Sequence, residues 1–162
     1  MNPRPFLLLL GATLACGGPP SSEARLGLDV LLDRAVADEL GAFQVVVLPA
    51  GRTRNCIELQ RTCLSQQVEP QEPLMLRGPD GEEARVLRFP AKLEGGVQEL
   101  AVDVPVGRDY AVVIEALSGG SPPRFLGSSC NYLSAVNASG NEPLVAAAIT
   151  LTGGECDPSF SP

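Results

Sequence analysis

The chain has 162 residues, of which 44% are hydrophobic, and its 12 basic and 19 acidic side chains give a net charge of −7. This length and apolar content indicate one folded domain, and an acidic chain without a run of Lys or Arg excludes nucleic acid as a partner. The chain has no histidine, which excludes Ser-His-Asp and Cys-His nucleophilic sites and His-ligated metal centres.

The first 15 residues have the organisation of a signal peptide. Arg4 supplies one positive charge, and residues 6–15 form an apolar run of ten. Such a run is too short to cross a bilayer, which needs roughly 20 residues, and it matches the hydrophobic stretch of an export signal. We therefore expect a signal peptide over residues 1–15.

The residues at the end of this run carry a family resemblance. Leu14-Ala15-Cys16 resembles the lipobox of bacterial lipoproteins, with Thr13 where that family usually has Leu. The resemblance implies cleavage before Cys16 and lipidation of Cys16. The Gly, Pro and Ser content of the residues that follow indicates a flexible tether over residues 16–24. Because Gly17 rather than Asp follows the cysteine, the resemblance also implies a lipid anchor in the outer membrane of the bacterial cell envelope.

The rest of the chain predicts an all-β fold. Apolar and polar residues alternate over residues 26–32, 43–48, 97–104 and 110–116, with weaker patterns over 86–89 and 124–130. Residues 144–152 are apolar on both faces and predict a central strand, and residues 33–41 are the one helical candidate. Short gaps rich in Gly and Pro indicate a single antiparallel β-sandwich of about seven strands over residues 25–160.

One corner of this fold carries a second resemblance. Residues 104–116, Val-Pro-Val-Gly-Arg-Asp-Tyr-Ala-Val-Val-Ile-Glu-Ala, resemble the E–F corner of immunoglobulin-like, fibronectin-III-like and carboxypeptidase-regulatory-like sandwiches. In those domains a tyrosine begins a hydrophobic strand, and its hydroxyl bonds back to the backbone across the corner. The resemblance implies a structural role for Tyr110 and no activity.

The odd number of cysteines supports export and lipidation. The cysteines are five, at positions 16, 56, 63, 130 and 156, and acylation of Cys16 leaves four that can oxidise. Three pairings are possible, and we favour Cys56–Cys63 with Cys130–Cys156. Zinc bound by the four thiolates is the alternative, but their spacing lacks the zinc-ribbon pattern, so no metal and no cofactor is predicted.

Two segments are candidate interaction surfaces. Arg52, Arg54 and Arg61 surround the predicted small disulfide loop and form a basic tip on an acidic protein, and residues 131–141 form a second polar loop. Loops held by a rigid scaffold often carry binding residues. The acidic residues at positions 80, 82 and 83 are interpreted as a solvated turn, because they lack the spacing of a calcium loop.

These observations predict a non-enzymatic lipoprotein with no catalytic residues. It would be attached to the membrane through its lipid and would act as a binding or adaptor module for an unidentified envelope protein or ligand. The alternatives are a small hydrolase that uses paired carboxylates and a structural subunit that assembles through strand edges.

Overall fold

A computed structural model describes residues 22–160. The predicted signal peptide, Cys16 and most of the predicted tether therefore lie outside the described residues. The first strand begins at Glu23, two residues before the predicted start of the domain. Within residues 22–160 no helix is long and apolar enough to span a membrane.

The described residues form an all-β fold with nine strands and a few short helical segments. In chain order the strands are β1 (Glu23–Leu31), β2 (Leu40–Pro49), β3 (Leu76–Arg77), β4 (Glu83–Ala84), β5 (Leu87–Pro90), β6 (Val97–Pro105), β7 (Gly107–Ser118), β8 (Phe125–Val136) and β9 (Leu144–Val145). Two α-helices, α1 (Arg34–Glu39) and α2 (Cys56–Leu59), and two 3-10 turns, Gly51–Thr53 and Leu64–Gln66, lie between them.

The strands are arranged in two sheets. One sheet has the order β4-β3-β6-β1-β9, and the other has the order β5-β2-β7-β8. All neighbours are antiparallel except β1 and β9, which pair in parallel. The strand count therefore exceeds the predicted seven, and the sheets are not purely antiparallel.

A single hydrophobic cluster joins the two sheets. The alternating residues of the four long central strands point into it, as their period of two requires. These residues include Leu26, Leu28 and Val30 of β1, Phe43, Val45 and Val47 of β2, Leu100, Val102 and Val104 of β6, and Val112 and Ile114 of β7, all nearly or fully buried.

A second cluster covers the opposite face of the β5-β2-β7-β8 sheet. The irregular segment between β2 and β3, residues 50–75, packs there and is called the cover. Its residues Leu59, Leu64 and Val68 contact Val46 and Leu48 of β2 and Ala111 and Val113 of β7. The strands β2 and β7 are therefore buried on both faces, with a continuous run of buried residues from Phe43 to Leu48.

Two disulfides hold this cover on the sheet, with a pairing that differs from the predicted one. Cys56 is bonded to Cys130 of β8, and Cys63 is bonded to Cys156 of the C-terminal segment. The predicted Cys56–Cys63 and Cys130–Cys156 bonds are wrong, because Cys56, the first residue of α2, lies against β8, while Cys63 lies beside the C-terminal segment.

The segment predicted as a central strand, residues 144–152, crosses between the sheets instead. It contributes only the two residues of β9, which is an edge strand. The Ala146 N–H then donates to the backbone carbonyl of Asp29 in β1, and the Thr152 N–H donates to the backbone carbonyl of Leu126 in β8. The helix α1 is shorter than the predicted helix over residues 33–41, and Gly41 lies in β2 rather than beyond a helix end.

Candidate functional site

The predicted structural tyrosine lies at the turn between β6 and β7. The Tyr110 hydroxyl donates to the carbonyl of Pro105 at 3.2 Å, across the corner formed by Val106 and Gly107. A Cβ atom at Gly107 would come within 2.2 Å of the Tyr110 hydroxyl oxygen, so only glycine leaves room for the ring. Burial raises the pKa of Tyr110, so the hydroxyl stays a donor.

The three predicted basic residues have three different partners. The Arg54 guanidinium lies 2.9 Å from a carboxylate oxygen of Glu72 and donates to the Pro49 carbonyl, which fixes the segment between β2 and β3. Arg61 pairs with Glu58 three residues earlier, and both side chains are more than half exposed. Neither contact leaves an arginine directed at a shared site, so the predicted basic tip of three residues does not form.

Arg52 is the exception, because its side chain reaches the second predicted surface. Its Nε donates to the Tyr132 hydroxyl at 2.8 Å, and its guanidinium carbon lies 5.8 Å from the centre of that ring. The hydrogen bond from Arg52 to Tyr132 raises the pKa of Arg52. The basic segment after β2 and the polar region around Tyr132 thus form one surface. Part of the predicted polar loop, as far as Val136, is strand rather than loop.

The backbone that carries Arg52 is held in an uncommon conformation. Ala50 and Asp109 are the only two non-glycine residues among positions 22–160 with positive φ, at 56° and 66°. The Asp109 carboxylate accepts a hydrogen bond from the Arg52 N–H at 2.8 Å. A Cβ atom at Gly51 would lie 2.3 Å from the Tyr110 carbonyl oxygen. Strained backbone of this kind persists where surrounding contacts enforce it, often at functional sites.

An open groove of about 360 Å³ lies beside Arg52. Arg108 lines it with Arg52, and the end of β8 forms its opposite wall. Val106 and Tyr132 are 41% and 43% exposed, which is high for large apolar or aromatic side chains in a small domain. We call Arg52, Val106, Arg108 and Tyr132 the arginine surface.

A buried polar network lies on the same sheet, beneath the irregular cover. Glu115 of β7 is fully buried and accepts hydrogen bonds from the Gln44 side chain at 2.6 Å and the Leu64 N–H at 2.7 Å. Burial raises the pKa of Glu115 to about 7, while the hydrogen bonds from Leu64 and Gln44 and the charge of Arg88 oppose the shift. Gln44 also donates to the Pro158 carbonyl.

This network has the chemistry of a structural clamp. A carboxyl group with a pKa of about 7 matches the requirement for a general acid, but Glu115 has no exposed atom through which to reach a substrate. Its hydrogen-bond partners are amide groups of β2 and of the cover. The network therefore holds the cover and the C-terminal segment onto the sheet.

Sequence reasoning missed both this network and the residues that complete the arginine surface. Glu115 lies inside an otherwise apolar run from Ala111 to Leu117 that is buried throughout. This run, apolar at every position except Glu115, was the available indication that both faces of β7 are covered. The roles of Asp109 and Arg108 depend on a long-range approach of the turn after β2 to the start of β7, which has no local sequence pattern.

The described residues offer little support for a metal or paired-carboxylate site. Among residues 22–160 no group of three or more Cys, Asp or Glu side chains is arranged to hold a metal ion. Two carboxylates, Glu39 and Glu155, do line one groove of about 520 Å³. Glu39 is paired with Arg124 at 2.9 Å, and both of these side chains are about half exposed or more.

Comparison of the chain with protein families, curated proteins and solved structures finds no match. The features that bear on function are therefore the arginine surface and the lipobox-like leader of the sequence.

Proposed function

We propose that this chain is a non-enzymatic lipoprotein of the bacterial cell envelope that binds a partner through its arginine surface. Lipid on Cys16 would hold the domain at a membrane, with the outer membrane favoured by the residue that follows. In the same proposal the two sheets form a sandwich of the immunoglobulin-like or fibronectin-III-like type, a scaffold that serves many binding proteins.

Two features support the envelope location. The four cysteines of the described domain are all in disulfides, which form and persist in oxidising compartments such as the periplasm. The leader ends in a lipobox-like sequence before Cys16. The fifth cysteine, Cys16, lies outside the described residues and is the one that the lipoprotein resemblance assigns to the anchor.

One observation carries the binding role. The Arg52 side chain is positioned by Tyr132, and its backbone is positioned by Asp109, yet the surface around it remains open. A surface arginine without such contacts loses much side-chain entropy when it binds, whereas a positioned one has already lost it. Arginine and tyrosine are also the side chains that most often dominate binding energy at protein interfaces.

A charge reversal tests the binding role. We expect Arg52→Glu to lose a partner that the wild-type chain retains from solubilised envelopes after chemical cross-linking, because the variant repels an anionic group. The matched control is Arg61→Glu, which reverses another exposed arginine elsewhere on the cover. If wild type and both variants retain the same proteins in the same amounts, the arginine surface is not the binding site.

A further inference from the structure

We infer that the partner contributes an extended acidic segment that adds as a fifth strand to the open half of β8, beside the arginine surface. This inference rests on the proposed binding function and names the chemistry of its partner. It is carried by the edges of the sheets, the sequence of β8 and the charges beside it.

Three of the four sheet edges are too short to accept a strand. The β4-β3-β6-β1-β9 sheet ends in β4 and β9, with two residues each. On the other sheet, β5 has four residues and ends in Pro90, which has no N–H to donate. Short edges and prolines are the usual means by which proteins prevent strand addition.

The fourth edge, β8, is long and only half covered. β8 has 12 residues, and the segment before the C-terminus runs beside the first seven, where the Thr152 N–H donates to the Leu126 carbonyl and the Ala147 N–H donates to the Asn131 side chain. Residues 132–136 pair only with β7 in the described part of the chain. Their sequence, Tyr-Leu-Ser-Ala-Val, has no charge, proline or glycine that would oppose pairing.

The charges beside this open half select the partner. Arg52 and Arg108 line one groove together with residues 134–137, and Arg52 contacts Tyr132, so both arginines lie beside residues 132–136. Arg108 has no ion-pair partner among the described residues, while the Asp109 carboxylate is engaged by the Arg52 N–H. The edge is locally positive on a chain whose net charge is −7.

An acidic strand satisfies both features at once. Its main chain would bond to the unpaired groups of β8, as in other cases of strand addition, and its carboxylates would meet the two guanidinium groups, which suit planar bidentate contacts. A second copy of this chain fits less well, because pairing β8 with β8 would bring the arginines of both copies to one edge.

A peptide-binding experiment tests this inference on the full chain in detergent, with its disulfides intact. The probe is a capped seven-residue peptide of alternating Glu and Val. Its controls are a Lys-Val peptide of the same length and a Glu-Val peptide N-methylated at alternate amides, which keeps the charge but blocks strand pairing. Calorimetry gives the affinity, and amide hydrogen exchange locates the contact.

We expect the Glu-Val peptide to bind and to slow exchange at residues 132–136, with no binding of the Lys-Val peptide. N-methylation should weaken binding about tenfold or more, since several main-chain hydrogen bonds are lost. Arg108→Gln should weaken it about fivefold, the upper range for one exposed ion pair, and Arg61→Gln should leave it unchanged.

Four results would overturn the inference. They are no binding of the Glu-Val peptide, equal affinity for the methylated peptide, protection located away from β8, and self-association of the chain with protection of residues 132–136. Each of these results leaves the proposed binding function intact if Arg52→Glu still abolishes partner retention. Failure of the inference can therefore be distinguished from failure of the proposed function. The comparison of the methylated and unmethylated peptides uses the wild-type chain, so it does not depend on whether a variant folds.

Discussion

Tyr110 links two successive strands through one hydroxyl group. Its bond to the Pro105 carbonyl spans the turn between β6, in one sheet, and β7, in the other. Because the turn connects the two sheets, the bond fixes how the chain leaves one sheet and enters the next.

Replacing Tyr110 with Phe should lower the free energy of unfolding by about 1 kcal/mol, since one hydrogen bond is lost and the buried ring is kept. Urea denaturation of the oxidised protein measures this change. Tyr132→Phe removes a surface hydroxyl and should have a smaller effect, because its partner Arg52 remains solvated. Equal effects of the two variants would show that the corner bond has no special contribution.

Glu115 gives the domain an unusual dependence on pH. Its pKa in the folded state, about 7, lies above the ordinary value for glutamate, so the folded chain binds a proton more tightly than the unfolded chain. The resulting stability is fully present below the unfolded pKa and is lost as the pH rises through about 7. Across this window the loss is on the order of 3 kcal/mol.

Glu115→Gln removes this titration. We expect the free energy of unfolding of wild type to fall between pH 5 and pH 8, and that of the variant to stay nearly constant over the same range. Glu99→Gln, at an exposed position on β6, should keep the wild-type slope. A variant with the same slope as wild type would show that another group is responsible.

At the scale of elements, the cover over the β5-β2-β7-β8 sheet depends on its attachments. The Cys63–Cys156 bond closes a separation of 93 residues, and the Ser65 hydroxyl donates to the Asp157 carbonyl beside it. The Gln44 side chain reaches the next residue, Pro158. These contacts together hold the C-terminal segment beside the Glu115 network.

Replacing both Cys63 and Cys156 with Ala should therefore lower the free energy of unfolding by about 4.6 kcal/mol, the value expected for a loop of this length. It should also reduce the pH dependence of stability, because release of the cover exposes Glu115 to water. Denaturation at pH 5 and pH 8 measures both effects. A full wild-type slope in the double variant would mean that the cover stays closed without its disulfide.

The long strands were predictable from the sequence because each buries one face in the main core. The alternation over residues 97–104 and 110–116 corresponds to β6 and β7, and Leu26, Leu28 and Val30 of β1 are buried as predicted. Residues 144–152 misled the prediction because alanine-rich apolar sequence is also compatible with a crossing between sheets. Only Ala146 and Ile149 of that segment are buried.

The cover and its disulfides were not predictable from local pattern. Residues 51–75 lack periodicity because they pack through scattered side chains such as Leu59, Leu64 and Val68. Disulfide pairing depends on which element each cysteine lies against in the folded chain, and sequence spacing contains no such information. The contact of Arg52 with Tyr132 joins residues 80 positions apart, so it requires the fold to be known first.

At the scale of the whole molecule, the proposed function requires a membrane anchor on an acidic domain. The net charge of −7 gives the domain no attraction to anionic lipid, so the acyl chains would supply all of the membrane affinity. Two or more chains are needed for stable anchoring, because one gives only marginal binding.

Replacing Cys16 with Ser should therefore move the protein completely from the membrane fraction to the soluble fraction of the envelope. Fractionation followed by immunoblotting measures this, with Ser21→Ala in the same tether as the control that should stay at the membrane. Retention of the Cys16→Ser protein at the membrane would contradict lipid anchoring, and the domain itself or its partner would then have to explain the attachment.

The two disulfides interleave, since Cys63 lies between Cys56 and Cys130, and Cys130 lies between Cys63 and Cys156. If the chain is exported and Cys16 is lipidated, as proposed, Cys63 is the first free thiol to become available to Cys56, and a short loop closes more readily than a long one. The earliest crosslink is therefore expected to be a non-native one, and reaching the native connectivity requires thiol exchange. A host that produces this protein efficiently should supply an isomerase, and production in a compartment with an oxidase alone should accumulate scrambled chains.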